Sequence, residues 1–238
     1  MASTTVGLNV EALLENGVIE LADPTTEGAV TEMVSKNFEF FTERGLDFLK
    51  QQVLDDSRFR YASKVFFGTE KCVLAHWLRY GSRPNFMECH FKGGLKAGHL
   101  ALIVHVLPKG SQVNYYQRSH LHELSTKEGG RGLYENDALE IAGFEAWTAG
   151  DQKLTEGGKV IFDGRLSFQI VQMYTITFIF TTEAIATSWP KMALPNSATL
   201  VHKIMDMESL LQDMAANEGV NIRLNFTFGE ILPGNTGI

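Results

Sequence analysis

The sequence predicts a mainly β protein, a sandwich or barrel, with helices before the sheet and a helix–strand appendix after it. Three observations lead there. About eight or nine short β-rich runs lie between residues 65 and 182, at roughly 8–15-residue spacing. Turn signals such as Tyr80-Gly81-Ser82-Arg83-Pro84-Asn85 and Pro108-Lys109-Gly110-Ser111 separate them. Helical patterns do not alternate with these runs, which disfavours a parallel βαβ sheet and favours antiparallel strands.

The elements follow in chain order. Val10, Leu13 and Leu14 fall at helical spacing, and Asn16-Gly17 stops the run before a short strand, Val18-Ile19-Glu20-Leu21. Asp23-Pro24-Thr25-Thr26 is turn and cap chemistry, with Thr26 as the expected N-cap. Val30, Met33, Val34, Phe38 and Phe41 then mark one face of a helix, which Gly45 is expected to break and residues 46–54 to resume. The β-rich runs are 65–67, 72–78, 86–91, 98–107, 112–116, 144–148, 159–162, 166–171 and 174–182, with a short helix over 136–142 capped by Asn136. Residues 100–107 are apolar except for His105, which suits a strand buried on both faces, with His105 as a hydrogen-bonded core residue. A helix over 201–216, a strand over 221–228 and a loose tail from Gly229 close the chain. The whole reads as one domain, 1–238: a helical part over about 10–58, a β core over 59–182 and an appendix over 183–238.

Composition narrows the function classes. The chain has 238 residues, 44% of them hydrophobic, and a net charge of -7. That is enough to bury a core without staples, and the acidic balance argues against nucleic-acid or anionic-membrane binding. Two cysteines, Cys72 and Cys89, no basic and apolar leader, and no run of about 20 apolar residues imply free thiols and a cytoplasmic protein.

Familiar catalytic motifs fail: there is no Gly-x-Gly-x-x-Gly after a strand, no phosphate loop, no Gly-x-Ser-x-Gly, no Cys-x-x-Cys and no His-Glu-x-x-His. The densest metal-like cluster is His120-Leu121-His122-Glu123. In a strand, His120 and His122 would point to one side. His99, His105 and the Glu88-Cys89-His90 run are its possible companions. The bland reading is that His120 ends a strand at a hydroxyl-rich turn around Ser119.

A family resemblance emerges at residues 156–170, Glu-Gly-Gly-Lys-Val-Ile-Phe-Asp-Gly-Arg-Leu-Ser-Phe-Gln-Ile. The stretch resembles the late strands of the phytanoyl-CoA-dioxygenase-like branch of the iron(II)/2-oxoglutarate oxygenases, including its small fungal members. Residues 104–122, with Leu107-Pro108-Lys109-Gly110-Ser111 and Tyr115-Tyr116-Gln117-Arg118-Ser119-His120, are similar to the branch's strand ending in Gly-Ser-His, with Arg118 where Gly is usual. Leu14-Glu15-Asn16-Gly17-Val18-Ile19 resembles its opening. The resemblance covers about residues 10–182 and implies a double-stranded β-helix, or jelly roll.

The resemblance breaks at the chemistry. Iron in such enzymes is held by two His and one carboxylate, the first pair as His-x-Asp or His-x-Glu. None of the seven His here has Asp or Glu two residues on; His90, for example, is followed by Phe91-Lys92. The distal His position aligns with Phe168 or Ser167, and the Arg for 2-oxoglutarate is missing near Met173 or Tyr174. The resemblance therefore implies a chain with no catalytic residues and no cofactor of its own, and Arg165 as a structural ion-pair partner of Asp163 or of a strand neighbour. It implies a non-catalytic subunit supporting a homologous catalytic oxygenase, which would carry Fe(II) and 2-oxoglutarate, as a heterodimer in fungal meroterpenoid metabolism, or a homodimer. Met205, Met207, Leu210, Leu211 and Met214 on the last helix are the candidate partner contact, against plain core packing. The alternative is an enzyme: a metalloenzyme with unusual ligands among Glu88, His90, His99, His120 and His122, or a metal-free isomerase or cyclase with a His or Glu as acid–base. A jelly-roll binding protein for a small apolar ligand is the third reading.

Overall fold

The computed structural model describes residues 10–68, 71–149, 154 and 157–229. In chain order the elements are α1 (Val10–Asn16), β1 (Val18–Ala22), α2 (Thr26–Ser35), α3 (Glu43–Leu49) with a π-helical turn Lys50–Leu54, and α4 (Ser57–Phe67). There follow β2 (Cys72–Gly81), β3 (Glu88–Cys89), β4 (Ala101–Leu107), β5 (Gln112–Tyr116), β6 (Thr126–Glu128), β7 (Tyr134–Asn136), α5 (Ala138–Ile141), β8 (Ala146–Ala149), β9 (Gly158–Asp163), β10 (Phe168–Gln172) and β11 (Tyr174–Thr182). The chain continues with α6 (Glu183–Ala186), β12 (Met192–Pro195), α7 (Ala198–Glu218), β13 (Ile222–Leu224) and β14 (Phe226–Gly229).

Two six-stranded sheets face each other, ordered β1-β9-β4-β11-β2-β13 and β6-β7-β3-β10-β5-β8. From β2 to β5 and again from β8 to β11 the chain steps from one sheet to the other, which makes a double-stranded β-helix with flanking helices. Period-2 alternation divides β1, β2, β4, β9 and β11 of the first sheet between two cores. On β4, Leu102, Val104 and Val106 pack against the helices, while Ala101, Ile103 and Leu107 enter the space between the sheets. The short parallel pair β12–β14 and helix α7 complete the helix-side core.

Several local expectations change. Residues 65–67 end helix α4 rather than forming a strand, because Phe59, Ala62, Ser63, Phe66 and Phe67 share one buried face and Asp56 caps the start at Arg58 N. Thr26 is the first residue of α2 and is buried, so its hydroxyl donates to Gln52 Oε1 (3.4 Å) instead of capping. Asp137, not Asn136, caps α5 through Leu139 N. Gly45 does not break its helix: it is buried in α3, where a Cβ would strike the Phe40 carbonyl. Beyond Gly229, the tail lies outside the described residues.

One charge holds the helical layer to the sheet. Lys159, on the helix side of β9, is 2% exposed. Its Nζ donates to Asp56 Oδ2 (2.7 Å) and Gln52 O (2.9 Å) and pairs with Asp23 Oδ2 (2.9 Å). Three acceptors match the three protons of an ammonium ion, the condition for burying it. Burial works against ionisation of Asp56, but bonds from Arg58 and Lys159 outweigh it and hold the carboxyl far below its usual range. Lys159→Met is expected to cost about 3 kcal/mol in urea denaturation, because the carboxylates lose their buried partner. Adding Asp56→Asn to that variant should recover part of the loss.

Candidate functional site

The centre of the barrel is built from one turn and four strands. At the end of β9, Asp163 meets Arg165 two residues on: Arg165 Nε donates to Oδ1 (2.9 Å) and Nη2 to Oδ2 (2.6 Å), while Nη1 donates to Gly94 O (2.7 Å). Both residues are buried, and the pair is the ion pair expected from sequence. The turn so fixed presents the Gly164 carbonyl, which accepts N–H bonds from His90 and Phe91 (both 2.9 Å). His90 is thereby pinned beside β10.

Phe168 opens β10, paired with Glu88 on one side and Tyr115 on the other. Its ring stacks on His90, centroids 5.3 Å apart and planes at 21°. His105 from β4 and Phe162 from β9 meet the Phe168 ring edge-on at 5.2 and 5.6 Å. His105 Nδ1 bonds the Tyr115 hydroxyl at 2.7 Å, so it is the hydrogen-bonded core residue expected. Ser167, the other residue aligned with the missing distal His, turns elsewhere and accepts from Asn136 Nδ2 (3.0 Å). The position where the resemblance places an iron-binding imidazole is therefore an aromatic ring in contact with the nearest histidine.

Burial alone pushes the His90 pKa down to about 3. Burial, with a smaller contribution from His90, pushes His105 well below the usual imidazole range. Both nitrogens of His90 and Nε2 of His105 have no hydrogen-bond partner among the described residues. No carboxylate accompanies them, and among the described residues no group of three or more His, Cys, Asp and Glu is placed to hold a metal. An iron centre of the two-His, one-carboxylate kind does not fit these residues.

The other sequence candidates do not converge. His120 is not in a strand but in a 3-10 turn, Ser119–Leu121, so His120 and His122 do not share a strand face. His120 is buried, with Nε2 at 3.4 Å from Leu14 O, whereas His122 is exposed and meets Phe144 edge-on at 5.1 Å. His99 Nδ1 bonds Phe66 O (2.6 Å), and its ring stacks on Phe66. Glu88 is 1% exposed and tied to Arg83, which occupies it structurally. Met173 is exposed in the β10–β11 turn, and Tyr174 packs on the helix side against Phe38. Neither faces the inter-sheet space. The residues of β11 that do include Thr175, Thr177 and Ile179, none of which is an Arg. Of the proposed partner contact, Met207, Leu211 and Met214 are buried in the helix-side core and Leu210 packs against it; Met205 alone is strongly exposed, at 59%. The helix's own apolar stripe produces this: a residue needed inside is not available outside.

No family model matches the chain, and no curated protein matches it in sequence. Among solved structures it is similar to the epimerase SnoN in complex with Fe3+, alpha ketoglutarate and nogalamycin RO, at 9% identity over 73% of this chain and 82% of that one, with a TM-score of 0.47. It is similar to HygX from Streptomyces hygroscopicus with iron bound, at 11% identity over 73% and 85%, with a TM-score of 0.47. It is also similar to EctD from S. alaskensis with 2-oxoglutarate and 5-hydroxyectoine, at 15% identity over 74% and 76%, with a TM-score of 0.41.

The buried imidazoles set an acid limit on the fold. His90 is neutral in the folded chain down to about pH 3, but in the unfolded chain it protonates near its ordinary value of about 6.5. Its stabilisation is therefore complete above pH 6.5 and is lost progressively as the pH falls toward 3. His90→Phe should flatten the fall in stability between pH 6.5 and 4 by a substantial part of several kcal/mol. Denaturant midpoints at each pH read it; an identical slope in the variant contradicts the assignment.

Proposed function

We propose that this chain is a non-catalytic, oxygenase-like jelly-roll subunit that pairs with a catalytic iron(II)/2-oxoglutarate-dependent oxygenase and supports it, in the manner of a heterodimer of fungal meroterpenoid metabolism. Fe(II) and 2-oxoglutarate then belong to the partner. The reading is supported by one observation above all: the Phe168 ring is stacked on His90 at the centre of the barrel. Three protein ligands on one face of iron require two imidazoles and a carboxylate. Here one imidazole faces aromatic carbon, the residue two positions on is Lys92, and the second buried imidazole is committed to Tyr115. An acid–base enzyme using the same interior is less favoured, because His105 and Tyr115 are both fully buried and bonded to each other.

The test is purification and co-expression. Loaded with Fe(II) and 2-oxoglutarate, the chain alone should retain only substoichiometric iron and should not convert 2-oxoglutarate to succinate. Co-expressed with oxygenases from its genomic neighbourhood, it should co-purify with one of them and raise that enzyme's turnover. One equivalent of iron with turnover by the chain alone overturns the loss of the centre. Absence of binding and of any gain with all such oxygenases overturns the pairing.

A further inference from the structure

The space between the sheets holds more hydrogen-bonding capacity than its neighbours use. His90 and His105 are 3% and 0% exposed, and three of their four ring nitrogens find no partner among the described residues. The rings around them cannot supply one. Phe162 and Phe168 offer only carbon. Tyr80 meets His90 edge-on at 5.6 Å, but its hydroxyl donates to the Arg131 carbonyl (3.0 Å). The Tyr115 hydroxyl is already bonded to His105 Nδ1 (2.7 Å). A buried polar group without a bond is costly, so three such nitrogens on two adjoining rings point to a ligand.

The spacing of the rings sets the size of that ligand. Their centroids are 6.3 Å apart, with planes at 68°. A bond from one imidazole to the other, N···N about 2.9 Å, brings the centroids to about 5.2 Å or less. One oxygen between them, about 2.9 Å from each nitrogen and bent at the tetrahedral angle, sets the centroids about 6.5 Å apart. The two rings are thus too distant to bond each other and at the separation that a single oxygen bridges. Charge sets the chemistry. No carboxylate or cation stands beside the two rings, so an ion would enter without a counter-ion. A neutral imidazole offers one N–H and one lone pair, and water can both accept and donate, so it serves either tautomer.

We propose that one water molecule is bound between His90 and His105, completing a hydrogen-bond chain Tyr115–His105–water–His90. The chain passes from β5 of one sheet to β4 of the other and back to the segment after β3, so it ties the two sheets through their middle. Two polar partners are within the two to four or so that a buried water takes. One His90 nitrogen stays without a bond. The site concerns only this chain's interior and stands or falls separately from the pairing with an oxygenase.

A high-resolution crystal structure of the whole chain tests it. One water should lie about 2.7–3.2 Å from a His90 nitrogen and from His105 Nε2. In solution, with histidine nitrogens isotopically labelled, the His105 ring should show a nuclear Overhauser contact to a long-lived water, and His90→Phe should abolish it. Empty density between the rings, a direct bond between them, or a peak with the anomalous scattering of a metal overturns the proposal. A water contact at His105 that survives His90→Phe overturns the bridge.

Discussion

The buried pair Asp163–Arg165 is the constraint on which the barrel's centre depends. Two charges at 1% and 3% exposure are tolerable only if every oxygen and N–H is matched. Here the carboxylate takes both prongs of the guanidinium and the backbone N–H of Arg165, and the remaining prong takes Gly94 O. That fixes the β9–β10 turn in one conformation, and the turn does the rest. Its Gly164 carbonyl holds the His90 segment, and its exit delivers Phe168 into the inter-sheet space. Three consecutive residues, Asp163-Gly164-Arg165, thus decide what two sheets enclose. The arrangement sets specificity of geometry more than net stability, because the cost of desolvating both ions offsets most of their attraction.

What the enclosed space contains follows from that geometry. Phe162, Phe168 and Tyr115 pack around the two buried imidazoles between the sheets. Ring-to-ring contact contributes roughly 0.5–1.5 kcal/mol per pair beyond area burial. The unpartnered nitrogens of His90 work against this, at about 1–3 kcal/mol for each buried group left without a bond. The buried imidazole is thus a cost that the ring contacts around it have to offset.

The sequence carried the fold well because the governing signals are local. Apolar alternation in residues 100–107, turn chemistry between runs, and Asp163-Gly164-Arg165 are all readable within a few residues. It carried less where two periodicities overlap. Val65-Phe66-Phe67 is β-rich by composition, but its two Phe continue a face set by Phe59 and Ala62, and burial of that face decides the outcome. The site was legible as departures from the resembled pattern and not as a place. That Phe168 stands where the resemblance expects an imidazole can be aligned; that it stacks on His90, 78 positions away, is a property of the closed turn. His120 and His122 looked paired only on the assumption of a strand, and the 3-10 turn at Ser119–Leu121 removes it.

The outer faces of the jelly roll differ in how their charges are used. The helix side is spent on core: Met207, Leu211 and Met214 are inside, and Lys159 locks the layer with Asp56 and Asp23. The rim is different in kind. At its Arg83 corner, charges are matched in a closed cluster of Arg83, Glu88, Glu135 and Lys127, whereas 48 positions on, Arg131 lies over the Tyr80 ring with no carboxylate partner among the described residues. Electrostatics of this sort is not needed for folding, since an exposed cation contributes little to stability.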